Sequence, residues 1–100
     1  MLVNVSFDDE EAVQEVDIIE IPDMTGGKLD ELQREFLLWL FNKENNHEYW
    51  IEVDGEKIGC SYGSEAFVKW LNLYVIQDKR ARIKAKNVMY LKNELPIIYF

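Results

Sequence analysis

Asp54-Gly55 stands between two runs, Tyr49 to Val53 and Glu56 to Tyr62, that are rich in β-branched and aromatic side chains. Aspartate followed by glycine suits a two-residue type I′ turn, whose central residues both need positive φ. Such a turn fixes register: Val53 falls opposite Glu56, Ile51 opposite Ile58 and Tyr49 opposite Cys60 on one face. On the other face Glu52 meets Lys57 and Trp50 lies over Gly59. Cross-strand pairs of these kinds contribute roughly 0.2–1 kcal/mol each, so an antiparallel hairpin is expected in the middle of the chain. An all-helical fold is thereby excluded.

Helical patterns flank the hairpin on both sides. From Lys28 to Lys43, after the Gly26-Gly27 break, Leu29, Leu32, Phe36, Trp39 and Leu40 recur every three or four residues, as on one face of a helix. Leu37, Leu38 and Phe41 are expected to widen that buried stripe. Ser64 suits the N-cap of a second helix, with Glu65 in its first turn. Ala66, Phe67, Trp70, Leu71, Tyr74 and Val75 then form its apolar stripe.

The ends of the chain read as strands. Leu2 to Phe7 alternates apolar and polar residues, Asp8 to Glu11 is a solvated turn, and Val13 to Ile21 is a second strand stopped by Pro22. In Lys79 to Lys92, Arg80, Arg82, Lys84 and Lys86 alternate with Ala81, Ile83 and Ala85, which favours strand over helix. Pro96 to Phe100 is a short apolar strand. The order is ββ-α-ββ-α-ββ: an α+β fold, one domain over residues 1–100, with two helices on a mainly antiparallel sheet. A chain of 100 residues has one core to build, not two.

Charge is unevenly divided. Residues 1–56 hold 16 acidic and three basic side chains, for −13, whereas residues 57–100 hold three acidic and eight basic ones, for +5. The net −8 argues against a protein that coats nucleic acid or anionic lipid with its whole surface. Nowhere do 18 uncharged apolar residues run together, and no basic segment leads into an apolar one at the N-terminus. No membrane partner and a cytoplasmic setting are therefore expected. The single cysteine, Cys60, agrees with a reducing compartment.

Catalytic and cofactor motifs are weak. A nucleophile–base pair would need Cys60 and His47, the sole members of their types, yet Cys60 reads more naturally as a small apolar core residue. Gly26-Gly27-Lys28 lacks the rest of a phosphate-binding loop, because Pro22 and Leu29 stand where a glycine and a hydroxyl residue are needed. His47 has no second ligand beside it, and Asp8 to Glu11 lacks the spacing of a calcium loop. No enzyme activity, cofactor or metal is expected.

Two surfaces remain. The acidic half offers Glu15, Asp17, Asp23, Asp30, Glu31 and Glu35 as a face for a basic protein partner. The alternative is a nucleic-acid interface formed by Arg80, Arg82, Lys84 and Lys86, whose strand spacing of roughly 6–7 Å can follow a phosphate backbone.

At Glu48-Tyr49-Trp50-Ile51-Glu52-Val53-Asp54-Gly55, at Glu65-Ala66-Phe67-Val68-Lys69-Trp70-Leu71-Asn72 and at Leu95-Pro96-Ile97-Ile98-Tyr99-Phe100 the chain resembles small accessory proteins of bacterial phages and integrative elements. About a third of the chain carries the resemblance. It implies a bacterial cytoplasmic protein that acts by binding, regulating element functions or opposing a host defence.

Overall fold

In the computed structural model, which describes residues 1–7, 15–22, 29–76, 80–89 and 94–100, the expected element order is found. The elements are β1 (Leu2–Ser6), β2 (Glu15–Glu20), α1 (Leu29–Leu40), β3 (Trp50–Val53), β4 (Glu56–Cys60), α2 (Ser64–Tyr74), β5 (Arg82–Met89) and β6 (Ile97–Tyr99). The fold is α+β. Asp8 to Glu11, the Gly26-Gly27 break and Lys79 lie outside the described residues.

Four strands form one sheet in the order β5-β2-β1-β6, and β3-β4 form a separate two-stranded sheet. β1 and β2 pair antiparallel, with Val3 opposite Ile19 and Val5 opposite Asp17. β6 joins β1 in parallel, Val5 facing Ile98. Strand pairing is mainly antiparallel, as expected, with β1·β6 the parallel exception: β6 returns to the far side of β1 after a long crossover, a connection that parallel pairing needs.

β5 is one of the two edge strands, and its register against β2 shifts twice, between Val16 and Ile18 and between Ile18 and Ile19. Asn87 takes φ 56°, a left-handed conformation that asparagine tolerates better than most residues. Bulges and basic side chains both blunt an edge against unwanted strand addition.

The core lies between the four-stranded sheet and the two helices. Val3, Val5, Ile19 and Ile98 from the sheet meet Leu29, Leu32, Phe36 and Leu40 of α1 and Ala66, Phe67, Trp70 and Leu71 of α2. Phe36, fully buried, is its hub. Ring centroids of Phe67, Trp70, Phe100, Tyr62 and Trp39 lie 5.3, 5.5, 5.6, 6.0 and 6.2 Å from it. The first four are edge-to-face and the Trp39 pair is stacked; such pairs add about 0.5–1.5 kcal/mol each beyond burial.

Three local expectations change. The turn at Asp54-Gly55 is type I′ as expected, with φ of 52° and 81°. Val53 also faces Glu56 and Glu52 faces Lys57, but the register then slips by one, so Ile51 faces Gly59 and Trp50 faces Cys60. Ile58 is the extra residue, thrown outward at 61% exposure. Leu38, Phe41 and Tyr74 lie outside the core although periodicity placed them in buried stripes. Finally, Gly63 rather than Ser64 is the N-cap of α2, and no side chain caps it.

Candidate functional site

The acidic residues divide between two elements. Asp30 and Glu31 occupy the first turn of α1, where carboxylates favour the helix dipole. Glu35 follows one turn after Glu31, and all three are exposed. Leu38 and Phe41, at 68% and 49% exposure, continue the same outward face toward the helix C-terminus. Asp30, Arg34, Leu37, Leu38 and Phe41 line a shallow groove of about 500 Å³ along it.

Glu15 and Asp17 belong to β2 instead. Glu15 is exposed at the start of that strand, whereas Asp17 is half-buried. Both oxygens of Asp17 are engaged within the chain: Oδ2 accepts from Ser64 Oγ at 2.5 Å and Oδ1 from the Asn87 N–H at 3.0 Å. Asp23 lies outside the described residues.

The basic segment is exposed throughout, at Arg80, Arg82, Lys84 and Lys86. Arg82 Nε sits 3.3 Å from Glu20, directly across the ladder. Lys86 pairs with Glu65 at the start of α2. Counting the described residues alone, half of the row is therefore already engaged with carboxylates of its own chain.

His47 and Cys60 do come together, but on a carbonyl rather than on each other. Both hydrogen-bond to Leu40 O, His47 Nε2 at 2.8 Å and Cys60 Sγ at 3.5 Å. Asn45 Nδ2 donates to the neighbouring Trp39 O at 2.8 Å. Carbonyls in the last turn of a helix lack intrahelical partners, so these three side chains act as a C-terminal cap. A carbonyl only accepts, which makes Nε2 the protonated nitrogen; Nδ1 in turn accepts the Tyr49 N–H at 3.2 Å. Both ring nitrogens are thereby used in the neutral tautomer. Burial pushes the Cys60 thiol above its ordinary range, away from the thiolate that a nucleophile needs.

Beside this cap lies a cavity of about 290 Å³, lined by Trp39, Glu44 to Tyr49, Ala66, Lys69, Trp70, Leu73 and Tyr74. Lys69 Nζ reaches Glu48 Oε1 at 2.8 Å at its mouth. That hydrogen bond and the lysine charge hold the Glu48 carboxyl below its usual range, and the same contact raises Lys69. Burial raises the Tyr49 hydroxyl, with the Glu48 charge adding to it. The stripe patterns had assigned Trp39 and Tyr74 to the core. A hint lay in their positions, Trp39 at the flank of its stripe and Tyr74 at the last residue of α2.

Comparison with protein-family models, with curated proteins and with solved structures found no match to this chain. Among the described residues, no helix is long and apolar enough to cross a membrane.

Proposed function

We propose that this protein is a non-enzymatic binding or regulatory module whose α1 outer face docks on a basic surface of a protein partner. One observation carries the reading: Leu38 and Phe41 stand 68% and 49% exposed on the same helix face as Asp30, Glu31 and Glu35. Large apolar side chains left in water forgo roughly 1.5–3 kcal/mol each on full burial, a gain that an interface would realise. Apolar anchors beside a charged rim are the usual anatomy of a protein interface. The −13 carried by residues 1–56 would speed the approach of a basic partner.

The resemblance to accessory proteins of phages and integrative elements supports the same reading, with a bacterial cytoplasmic protein regulating the element or opposing a host defence. Nucleic-acid binding through Arg80, Arg82, Lys84 and Lys86 is less favoured, because the ion pairs of Arg82 and Lys86 would have to be exchanged for phosphate contacts.

The test compares three immobilised proteins in bacterial lysate: the native chain, the Asp30→Lys, Glu31→Lys, Glu35→Lys triple variant, and a variant with all four basic residues changed to glutamine. The expected result is a protein retained by the native chain and the glutamine variant and lost from the triple variant. The opposite pattern, joined by salt-dependent retention of the native chain on immobilised DNA, would hand the function to the basic segment.

A further inference from the structure

A column of stacked groups runs from the hairpin surface to the end of α2 alongside the cavity at the C-terminus of α1. Lys57 Nζ lies 5.3 Å over the Trp50 ring. Trp50 stacks on His47 at 5.1 Å, with their planes within 6°. His47 meets Trp39 at 4.8 Å, and Trp39 meets Tyr74 of α2 at 5.7 Å.

Hydrogen bonds hold the loop that forms one wall. Asn45 Nδ2 donates to Trp39 O, and Trp50 Nε1 donates to Asn45 O at 2.6 Å. Lys57 Nζ donates to Lys43 O at 2.6 Å and to Asn46 Oδ1 at 2.8 Å. The wall is built before a ligand arrives, which lowers the ordering cost of binding.

The charge of the lining selects the ligand. Among the described residues, Glu44, Glu48 and Lys69 are its charged groups beside a His47 held as the neutral tautomer by its two hydrogen bonds, leaving one net negative charge among aromatic rings. Ring faces carry negative potential and attract cations. Of the organic cations, a guanidinium is planar, stacks on aromatic rings and presents forked donors to a carboxylate.

We propose that this cavity binds a guanidinium group, which stacks against its rings and takes the Glu48 carboxylate from Lys69. The displaced contact is exposed on both sides, 58% and 64%, and exposed ion pairs are cheap to break. Lys69 is then an internal competitor for the ligand's place. The guanidinium belongs to a free small molecule or to an arginine side chain of a peptide. The proposal stands on this cavity alone and does not need the α1 face.

The experiment titrates the full ¹⁵N-labelled chain with agmatine and with N-acetyl-arginine amide, following backbone and indole N–H resonances. N-acetyl-citrulline amide, the uncharged counterpart, is the control. Saturable shifts confined to residues 39, 44–49 and 69–74 are expected with the guanidinium probes and not with citrulline. Tighter binding of the blocked arginine points to a peptide, and tighter binding of agmatine to a small molecule.

Three exposed positions supply variants that keep the fold. Glu48→Gln and Tyr74→Ala should each weaken binding about tenfold, the loss of one charge-assisted bond or one stacking contact. Lys69→Met should strengthen it, a gain that a purely structural Glu48–Lys69 pair would not produce. Equal shifts with citrulline, failure to saturate, or weaker binding by Lys69→Met would overturn the proposal. None of these results depends on the lysate partner, so the two readings fail separately.

Discussion

Asp17 on β2 accepts a 2.5 Å hydrogen bond from Ser64 Oγ at the start of α2, and its second oxygen takes the Asn87 N–H at 3.0 Å. One carboxylate thus joins a central strand, a helix start and the irregular stretch of edge strand β5. The register shift between Val16 and Ile18 takes the Asn87 amide out of the regular ladder, and Asp17 supplies the missing acceptor. Ser64, buried to 1% exposure, gives its hydroxyl to the same group rather than to its own helix.

Asp17→Ala should therefore destabilise the fold by about 1.5–3 kcal/mol, the range for hydrogen bonds to a charged group. Ser64→Ala should lose part of the same free energy, so the double variant should cost less than the two single changes added. Urea unfolding of the four proteins measures the coupling. Strict additivity would show that the short contact contributes nothing. Asp30, Glu31 and Glu35, all exposed on α1, should each change stability by no more than about 0.5 kcal/mol when replaced.

Gly55 tests the turn. Its φ is 81°, and a Cβ built there would meet no atom within 4 Å. A Cβ itself meets no obstacle, so the loss on substitution comes chiefly from backbone strain, and Gly55→Val should cost about 1–3 kcal/mol. Gly59 also has open space around a Cβ but needs no positive φ. Gly59→Ala should leave the urea midpoint unchanged or raise it slightly. Equal losses at both glycines would argue against the turn as the cause.

That turn was legible in the sequence because its requirement is local: two adjacent residues at positive φ. The element order was legible for the same reason, since the period of apolar residues is a property of each segment. Register past Glu52 and Lys57 was not. Ile58 is expelled to 61% exposure, and Cys60, now opposite Trp50, bonds to the carbonyl of Leu40, a contact between segments 20 residues apart. The parallel seat of β6 against β1 is likewise a long-range choice. Of the candidate acidic residues, Asp30, Glu31 and Glu35 are exposed together on α1, whereas Glu15 and Asp17 sit on β2. The aromatic cavity was hidden because Trp39, His47, Tyr49, Trp70 and Tyr74 come from separate segments, and bulky apolar residues at helical spacing look like core.

Trp39 and Trp70 both line the cavity but differ in burial. Trp70 is 4% exposed and packs on both Phe36 and Phe67, whereas Trp39 is half-buried beside the cavity. Trp70→Ala should cost about 3–5 kcal/mol, enough to unfold a domain of marginal stability. Trp39→Ala should cost clearly less and leave a cooperative unfolding transition. Comparable losses at the two positions would return Trp39 to the core, where periodicity alone had put it.

Cys60 links burial to alkaline pH. Burial raises its thiol above the ordinary value of 9.0, so above that pH the native state keeps a proton that the unfolded chain has released. Stability is then full below 9.0 and falls as pH rises through the higher native value. Tyr49 and Tyr62, raised by burial from 10.0, extend the decline further up the scale. Cys60→Ala should remove the first part of this decline, so the urea midpoint of the variant should change less than that of the native chain just above pH 9.0. The fold should survive the change, because His47 still caps Leu40 O. Iodoacetamide provides an independent reading at neutral pH: alkylation of native Cys60 should be slow and should accelerate once urea unfolds the chain. Native labelling as fast as unfolded labelling would mean that the thiol is not withheld, and the pH dependence assigned to it would fall with that result.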